Sequence, residues 1–181
     1  MSALSEYCQS RIIAKYRVDI KSGIDINRVS EGSMTPLTWA ISRDYMELVD
    51  FLLTNQADVN QADAYNNTPL IMAVDNGNQK IIKRLLSNNA NVDKDNSYGV
   101  TPLMWAILAN HSTTAQILLD SGANVFRCNT LGNTPLMLAT RAGRTSRMIG
   151  PIIRNHIYNI LLDTGLNVLP RDILREIINY L

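Results

Sequence analysis

The sequence has 181 residues, of which 46% are apolar and 18% charged; this supplies enough material for a continuous core and excludes an intrinsically disordered chain. Its 17 Lys and Arg residues nearly balance its 16 Asp and Glu residues. The resulting formal charge of +1 excludes the global field that recruits nucleic acid or an anionic membrane. Cys8 and Cys128 lie far apart without metal-ligand spacing, so we expect neither a disulfide framework nor a metal site.

The N-terminal segment does not resemble a secretory signal, because charged residues between Glu6 and Asp19 interrupt its apolar positions. No later stretch is apolar for the length that a membrane span requires. We expect a soluble, cytoplasmic monomer with no membrane or nucleic-acid partner.

A period of 33 residues organises most of the chain. The tripeptide Thr-Pro-Leu recurs with this step at Thr35, Thr68, Thr101 and Thr134. Other residues keep the same step: Ala40, Ala73, Ala106 and Ala139; Leu52-Leu53, Leu85-Leu86 and Leu118-Leu119; and Val59, Val92 and Val125. Such a period indicates stacked repeats, each forming one supersecondary unit.

Each repeat has the pattern of two short helices. The Thr hydroxyl caps the first helix, and Pro is tolerated in its first turn, where the missing N–H would have had no partner. The small Ala allows close helix packing. The second helix ends near the Leu-Leu pair, where tracts rich in Asn, Gly and Asp are typical of a helix C-terminus and turn.

The period also predicts the organisation of the chain. Extrapolated backward, it places Ile26 in phase with Val59 and Leu4 in phase with Leu37, so the first repeat is degenerate. We expect a degenerate N-terminal capping repeat over 1–28, repeats over 29–61, 62–94, 95–127 and 128–168, and a separate C-terminal helix over 169–181.

The last repeat contains an insertion of about ten residues near 144–153, because Leu118-Leu119 recurs as Leu161-Leu162 and Val125 as Val168, a step of 43. We expect the inserted residues to form a loop between the two helices. The arginines in and around it are Arg141, Arg144, Arg147 and Arg154. They either hold an acidic or phosphorylated segment or form a solvated loop.

From Leu4 to Val168 the sequence resembles the ankyrin repeat, with its Thr-Pro-Leu-His, paired Ala, Leu-Leu and Gly-Ala-Asp-Val-Asn. The resemblance implies an all-α ankyrin-repeat solenoid that binds another protein. The sequence departs from the pattern at the His position, which holds Thr38, Ile71, Met104 and Met137. This departure puts in doubt the hydrogen bond that the His usually makes between repeats.

By this resemblance, the fingers before each Thr-Pro-Leu and the first helices line a concave groove. Tyr65, Tyr98 and Leu131 are in phase there, and an exposed aromatic column is a good anchor for a partner. The alternative is that these residues only pack finger against finger. We interpret Trp39 and Trp105 as core residues. The candidate groove residues are Tyr65, Asn67, Asp75, Tyr98, Val100, Leu108, Leu131, Asn133 and Arg141.

The sequence offers little for catalysis. His111 and His156 have no partners at a catalytic spacing, and phosphate-binding or nucleophile motifs are missing. We expect no enzyme activity and no cofactor. The tract from Leu52 to Asn60 resembles the pattern that an asparagine hydroxylase recognises in ankyrin proteins, with Asn60 as the residue modified.

The C-terminal segment carries an apolar stripe on one helical face. With its Leu-Pro start it resembles the first helix of an F-box, the element that docks on the Skp1 adaptor of cullin ubiquitin ligases, although thirteen residues (169–181) are short for a complete F-box. Ankyrin repeats followed by such a truncated, PRANC-like end resemble proteins of large DNA viruses such as poxviruses and chlorella viruses. The candidate Skp1-binding residues are Leu169, Pro170, Ile173, Leu174, Ile177, Ile178 and Leu181.

Two functions remain open. The first is a substrate receptor that binds a target through the ankyrin groove and recruits a Skp1-cullin ubiquitin ligase, in host cytoplasm or nucleus if the protein is viral. The second is a plain ankyrin binder or decoy whose C-terminal helix only caps the stack, as a solenoid end requires.

Overall fold

A computed structural model of the chain describes residues 3–23, 25–29, 34–141 and 149–163. These residues contain helices and no strands. The helices are α1 (Ala3–Lys21), α2 (Pro36–Ser42), α3 (Met46–Thr54), α4 (Pro69–Asp75), α5 (Gln79–Ser87), α6 (Pro102–Leu108), α7 (Ser112–Asp120), α8 (Pro135–Arg141) and α9 (Ile149–Asp163). The chain divides into two compact units, unit 1 over Met1–Ser97 and unit 2 over Tyr98–Leu181.

The short first helices begin as the sequence predicts. The Thr68 hydroxyl accepts the backbone N–H of Ile71 at 3.2 Å, and the same bond recurs at 3.1 Å from Thr38 to Thr35 and at 3.3 Å from Met104 to Thr101. Pro follows each capping Thr within the first turn. The capped helix start is therefore repeated along the chain.

Unit 1 is built from two regular helix pairs and a long first helix. α2 packs against α3 and α4 against α5, while α2 also contacts α4 and α3 contacts α5. The first repeat holds one helix of 19 residues, α1, which packs on α3. The core of unit 1 consists of apolar residues that recur with the period: Leu37, Ala40, Ile41, Leu48, Val49, Leu52, Leu70, Ile71, Ala73, Val74, Ile81, Ile82 and Leu85.

The turns of neighbouring repeats in unit 1 are joined by a recurring hydrogen bond. The Asn60 side-chain oxygen accepts the backbone N–H of Asn91 at 2.8 Å, and the Asn27 oxygen accepts that of Asp58 at 2.7 Å. The two bonds are one period apart. The degenerate first repeat therefore keeps the register of the others at its C-terminal end.

Unit 2 contains one regular repeat followed by an irregular one. α6 packs on α7 and α8, and α9 packs on α7 and α8. α9 has 15 residues, and its buried side chains include Ile153 and Ile157, which are 0% and 3% exposed. Leu161, the predicted counterpart of Leu118, is only half-buried.

The expectation of an inserted loop is wrong for residues 149–153, which form the start of α9. The reason is that Ile153 and Ile157 are four residues apart, one helical turn, and together bury an apolar edge of the helix. Arg144, Arg147 and the predicted helix over 169–181 lie outside the described residues. No helix in the described part of the chain is both long enough and apolar enough to cross a bilayer.

Candidate functional site

The fingers are tight turns closed by a side chain. In unit 1 the Asp63 carboxylate accepts the backbone N–H groups of Tyr65 at 2.9 Å and Asn67 at 2.8 Å. Asn66, between them, adopts a left-handed φ of 63°. Asp and Asn favour such turns because their side chains bond the backbone two residues on.

The finger in unit 2 is closed in the same way. The Asn129 side-chain oxygen accepts the backbone N–H of Leu131 at 3.0 Å and of Asn133 at 2.9 Å. The backbone N–H of Asn129 donates to the backbone carbonyl of Asn133 at 3.1 Å. The residue at the tip of the finger, Leu131, is thus held by its backbone.

Hydrogen bonds also join neighbouring fingers within each unit. In unit 1 the Ser97 hydroxyl donates to the Tyr65 carbonyl at 3.1 Å. In unit 2 the Thr130 hydroxyl donates to the Tyr98 carbonyl at 3.0 Å, and the Thr130 N–H donates to the same oxygen at 3.1 Å. Gly99 permits this approach, since a Cβ there would lie 2.9 Å from the Thr130 nitrogen.

The side chains at the finger tips point into solvent. Tyr65 is 71% exposed, Tyr98 is 68% exposed and Leu131 is 81% exposed. Their backbones are fixed by the bonds above, so their side chains present apolar surface from a rigid base. Because the fingers are already ordered, they would lose little backbone entropy when a partner covers these side chains.

Three candidate groove residues lie inside the fingers instead. Val100 is 8% exposed and Asn133 is 7% exposed, so neither side chain offers contact surface. Asn67 is half-buried, and its side-chain oxygen accepts the Asn96 amide at 3.1 Å. The expectation that these three side chains lie in an exposed groove is wrong. Each directly precedes a capping Thr (Thr68, Thr101 or Thr134) and turns inward, where it holds the finger together.

The ends of the first helices carry the remaining candidates. Asp75 is exposed at the end of α4 in unit 1, and Leu108 is 55% exposed at the end of α6 in unit 2. Arg141 is the last residue of α8, but its side chain is not described. Trp39 and Trp105, predicted as core, are half-buried.

Unit 2 presents an almost uncharged surface in this region. From Tyr98 to Arg141 the sequence carries only Asp120, Arg127 and Arg141 as charged residues. Exposed apolar side chains of the same stretch are Tyr98, Leu108, Phe126, Leu131 and Met137. This stretch therefore exposes large apolar side chains and carries few charges.

Asn60 forms hydrogen bonds within unit 1 through both its side chain and its backbone. It is half-buried, and its side-chain amide donates to the Asn89 carbonyl at 3.4 Å in addition to the bond from Asn91. Its backbone carbonyl accepts the Lys94 ammonium at 2.7 Å.

The two histidines lie in unit 2. His111 immediately precedes α7, and His156 lies on α9, where it lines a cleft with Gln116, Asp120 and Asn155. Within the described ranges, no group of three or more His, Cys, Asp or Glu residues is placed to hold a metal ion.

Comparison with protein families agrees with this geometry. A model described as Ankyrin repeats (3 copies) matches residues 3–96 and 90–168, so the chain belongs to the ankyrin-repeat family. The predicted fold class, an all-α ankyrin-repeat solenoid, is confirmed. No curated protein matches the sequence.

Ankyrin repeats make this chain a protein–protein interaction module with a protein as its partner. Proteins of this family are typically binding modules without enzymatic activity.

Proposed function

We propose that the chain is a substrate receptor, which binds a target protein through its ankyrin repeats and recruits a Skp1-cullin ubiquitin ligase through its C-terminal helix. The exposed finger tips carry the target-binding half of the proposal. Hydrogen bonds hold the backbone at each tip, and the large side chains remain in solvent. Rigid, exposed apolar anchors of this kind dominate protein interfaces.

In unit 2 the proposed target contacts are Tyr98, Leu108 and Leu131. Leu108 ends α6, a helix of seven residues that is about 10 Å long, and Tyr98 precedes its capping Thr101. With so few charges nearby, the target segment that binds here is apolar. In unit 1 the corresponding residues are Tyr65 and Asp75, and there a polar group of the target meets the carboxylate. Arg141 remains a proposed contact on α8.

The ligase-recruiting half rests on the sequence of residues 169–181. Ile173, Leu174 and Ile177 lie on one face of the predicted helix, while Arg175 and Asn179 lie on the other. An amphipathic helix of this kind binds by laying its apolar face in a hydrophobic groove. The likeness to an F-box assigns that groove to the Skp1 adaptor.

The same likeness suggests a protein of a large DNA virus that acts in the cytoplasm or nucleus of its host. We retain the division into repeats at 29–61, 62–94, 95–127 and 128–168 after a cap at 1–28. Hydroxylation of Asn60 also remains a proposal, and it requires the enzyme to release the bonds that hold the Asn60 side chain.

One observation favours the second function, a binder or decoy whose C-terminal helix only caps the repeats. Met137 is 46% exposed, whereas Met104 and Ile71, its counterparts in the preceding repeats, are 0% and 2% exposed. Tyr158 and Leu161 on α9 are also only half-buried. An apolar helix that covers such an end face would serve stability.

A paired measurement on Leu174→Asp separates the two functions. For a receptor, wild-type protein recovers purified Skp1, and the variant loses Skp1 while keeping its melting temperature. Asn179→Asp, on the polar face, is the matched control and keeps both properties. If the helix only caps the stack, wild type recovers no Skp1 and Leu174→Asp lowers the melting temperature, which rejects the receptor.

A further inference from the structure

A cleft of about 380 Å³ opens in unit 1 between α1 and the start of α2. Four residues of α1 line it from one helical face: Ile12, Lys15, Tyr16 and Asp19. The other wall includes Arg28, Met34, Pro36 and Trp39. The cleft shares none of its lining residues with the finger tips described above.

The apolar part of the cleft is held in place by its neighbours. Trp39 is half-buried and packs edge-on against Tyr45, with ring centroids 5.8 Å apart and planes at 77°. Pro36 is fixed in the first turn of α2 behind the Thr35 cap. Together with Ile12, these residues form a firm apolar wall that suits an aromatic or branched side chain.

The polar part of the cleft is cationic. Lys15 and Arg28 are both exposed, and Asp19 is half-buried. Two positive charges against one negative charge favour an anionic ligand and disfavour a basic one. Burial raises the pKa of the Tyr16 phenol, and the nearby Asp19 carboxylate raises it further. Tyr16, like any phenol at neutral pH, carries its proton and can donate a hydrogen bond.

We propose that this cleft binds an acidic peptide segment of a partner protein, with one apolar side chain against Trp39 and a neighbouring carboxylate between Lys15 and Arg28. The size fits this occupant, because ligand pockets begin at about 300 Å³. The proposal is independent of Skp1 recruitment and of the exposed finger tips.

The test uses Trp39 fluorescence in the full chain. The sequence has two tryptophans, so Trp105→Phe leaves Trp39 as the reporter. The probes are capped pentapeptides of sequence Asp-Asp-Phe-Asp-Asp, Lys-Lys-Phe-Lys-Lys and Asp-Asp-Gly-Asp-Asp. The first should shift the emission saturably at millimolar concentration, and the other two should bind about tenfold more weakly or not at all. If Trp105→Phe lowers the melting temperature, amide NMR shifts near Tyr16 in the unmodified chain replace fluorescence.

Two matched double variants reverse the charge of two cations, one pair inside the cleft and one pair outside it. Lys15→Glu with Arg28→Glu should weaken binding of the acidic Phe peptide by about tenfold, since two favourable charge contacts become repulsive. Lys80→Glu with Lys83→Glu, on exposed positions of α5, should leave its affinity unchanged. Three results would each overturn the proposal. The basic peptide could bind as tightly as the acidic Phe peptide, the cleft variant could bind the acidic Phe peptide as tightly as wild type, or no peptide could give a saturable response.

Discussion

α7 and α9 are the second helices of neighbouring repeats in unit 2, and their patterns of burial match only in part. α7 spans nine residues and buries Leu118 and Leu119 near its end, as the period predicts. α9 spans 15 residues and buries Ile157, which follows the buried Thr114 by 43 residues. It also buries Ile153, while Leu161, which follows Leu118 by the same step, remains half-buried. The period therefore predicts packing only where it is unbroken. Where residues are inserted, the residues that fit the neighbouring helix form the core.

The largest expected effect is a difference in the free energy of unfolding between a truncation in α7 and a truncation in α9. Leu118→Ala should lower the free energy of unfolding by about 3 kcal/mol, because it leaves a cavity at a fully buried site. Leu161→Ala should cost about 1 kcal/mol, since its side chain is already partly in water. Urea denaturation followed by circular dichroism measures both. Equal losses would mean that Leu161 is buried as deeply as Leu118, its counterpart at a step of 43.

The fingers offer a second comparison, between Gly99, which lies against the next finger, and Gly132, which has no neighbour within 4 Å. Gly99→Ala should cost about 2 kcal/mol, because it combines a left-handed φ of 68° with a contact of 2.9 Å to the Thr130 nitrogen. Gly132→Ala, with a φ of 74° and no neighbour within 4 Å, should cost about 1 kcal/mol. The same denaturation experiment tests the pair. A Gly132→Ala variant as unstable as Gly99→Ala would contradict the role given to finger contact.

Binding should depend on the finger tips without affecting stability. Tyr98→Ala with Leu131→Ala should weaken target binding by about 2 kcal/mol, because truncation removes two exposed anchors. Calorimetry with the target, once it is recovered by crosslinking, measures the loss, and thermal melts should coincide with wild type. Gln116→Ala, exposed on α7, is the control and should bind normally. Unchanged affinity in the double variant would remove the tips from the interface.

The smallest effect concerns the first repeat. The folded state raises the pKa of Tyr16, chiefly by burial, so its contribution to stability is full below the ordinary tyrosine pKa of about 10 and is lost as pH rises through the raised value. Tyr16→Phe should therefore flatten the alkaline part of the stability curve. Urea midpoints at successive alkaline pH values test this. A variant that loses stability in parallel with wild type would assign the loss to other groups.

The sequence predicted most of the fold because one signal recurs. Thr35, Thr68 and Thr101 cap helices by the same bond, and buried residues follow at the same step. The burial of Val100 and Asn133 could not be predicted, since the direction of a side chain next to a turn tip depends on the neighbouring finger. The burial of Ile153 could not be predicted either, because it depends on the packing of α9 against α7 and α8.

The cleft beside α1 was missed for a different reason. Lys15 and Arg28 come from separate segments of the first, degenerate part of the chain, where the period gives little guidance. In the sequence these two cations stand 24 and 11 residues before Trp39, and no pattern links them. Without the packing of α1 on α3, which leaves a cleft beside α2, such cations are typical of any solvated helix face.

The backbone hydrogen bonds of the fingers also affect which mutations this protein can tolerate during evolution. At Tyr65, Tyr98 and Leu131 hydrogen bonds hold the backbone and the side chain is largely exposed, so we expect mutation of these side chains to affect folding little. Variation can accumulate at these positions while the repeats stay intact. If the tips contact the target as proposed, substitutions at single tips can alter specificity while the repeats stay folded.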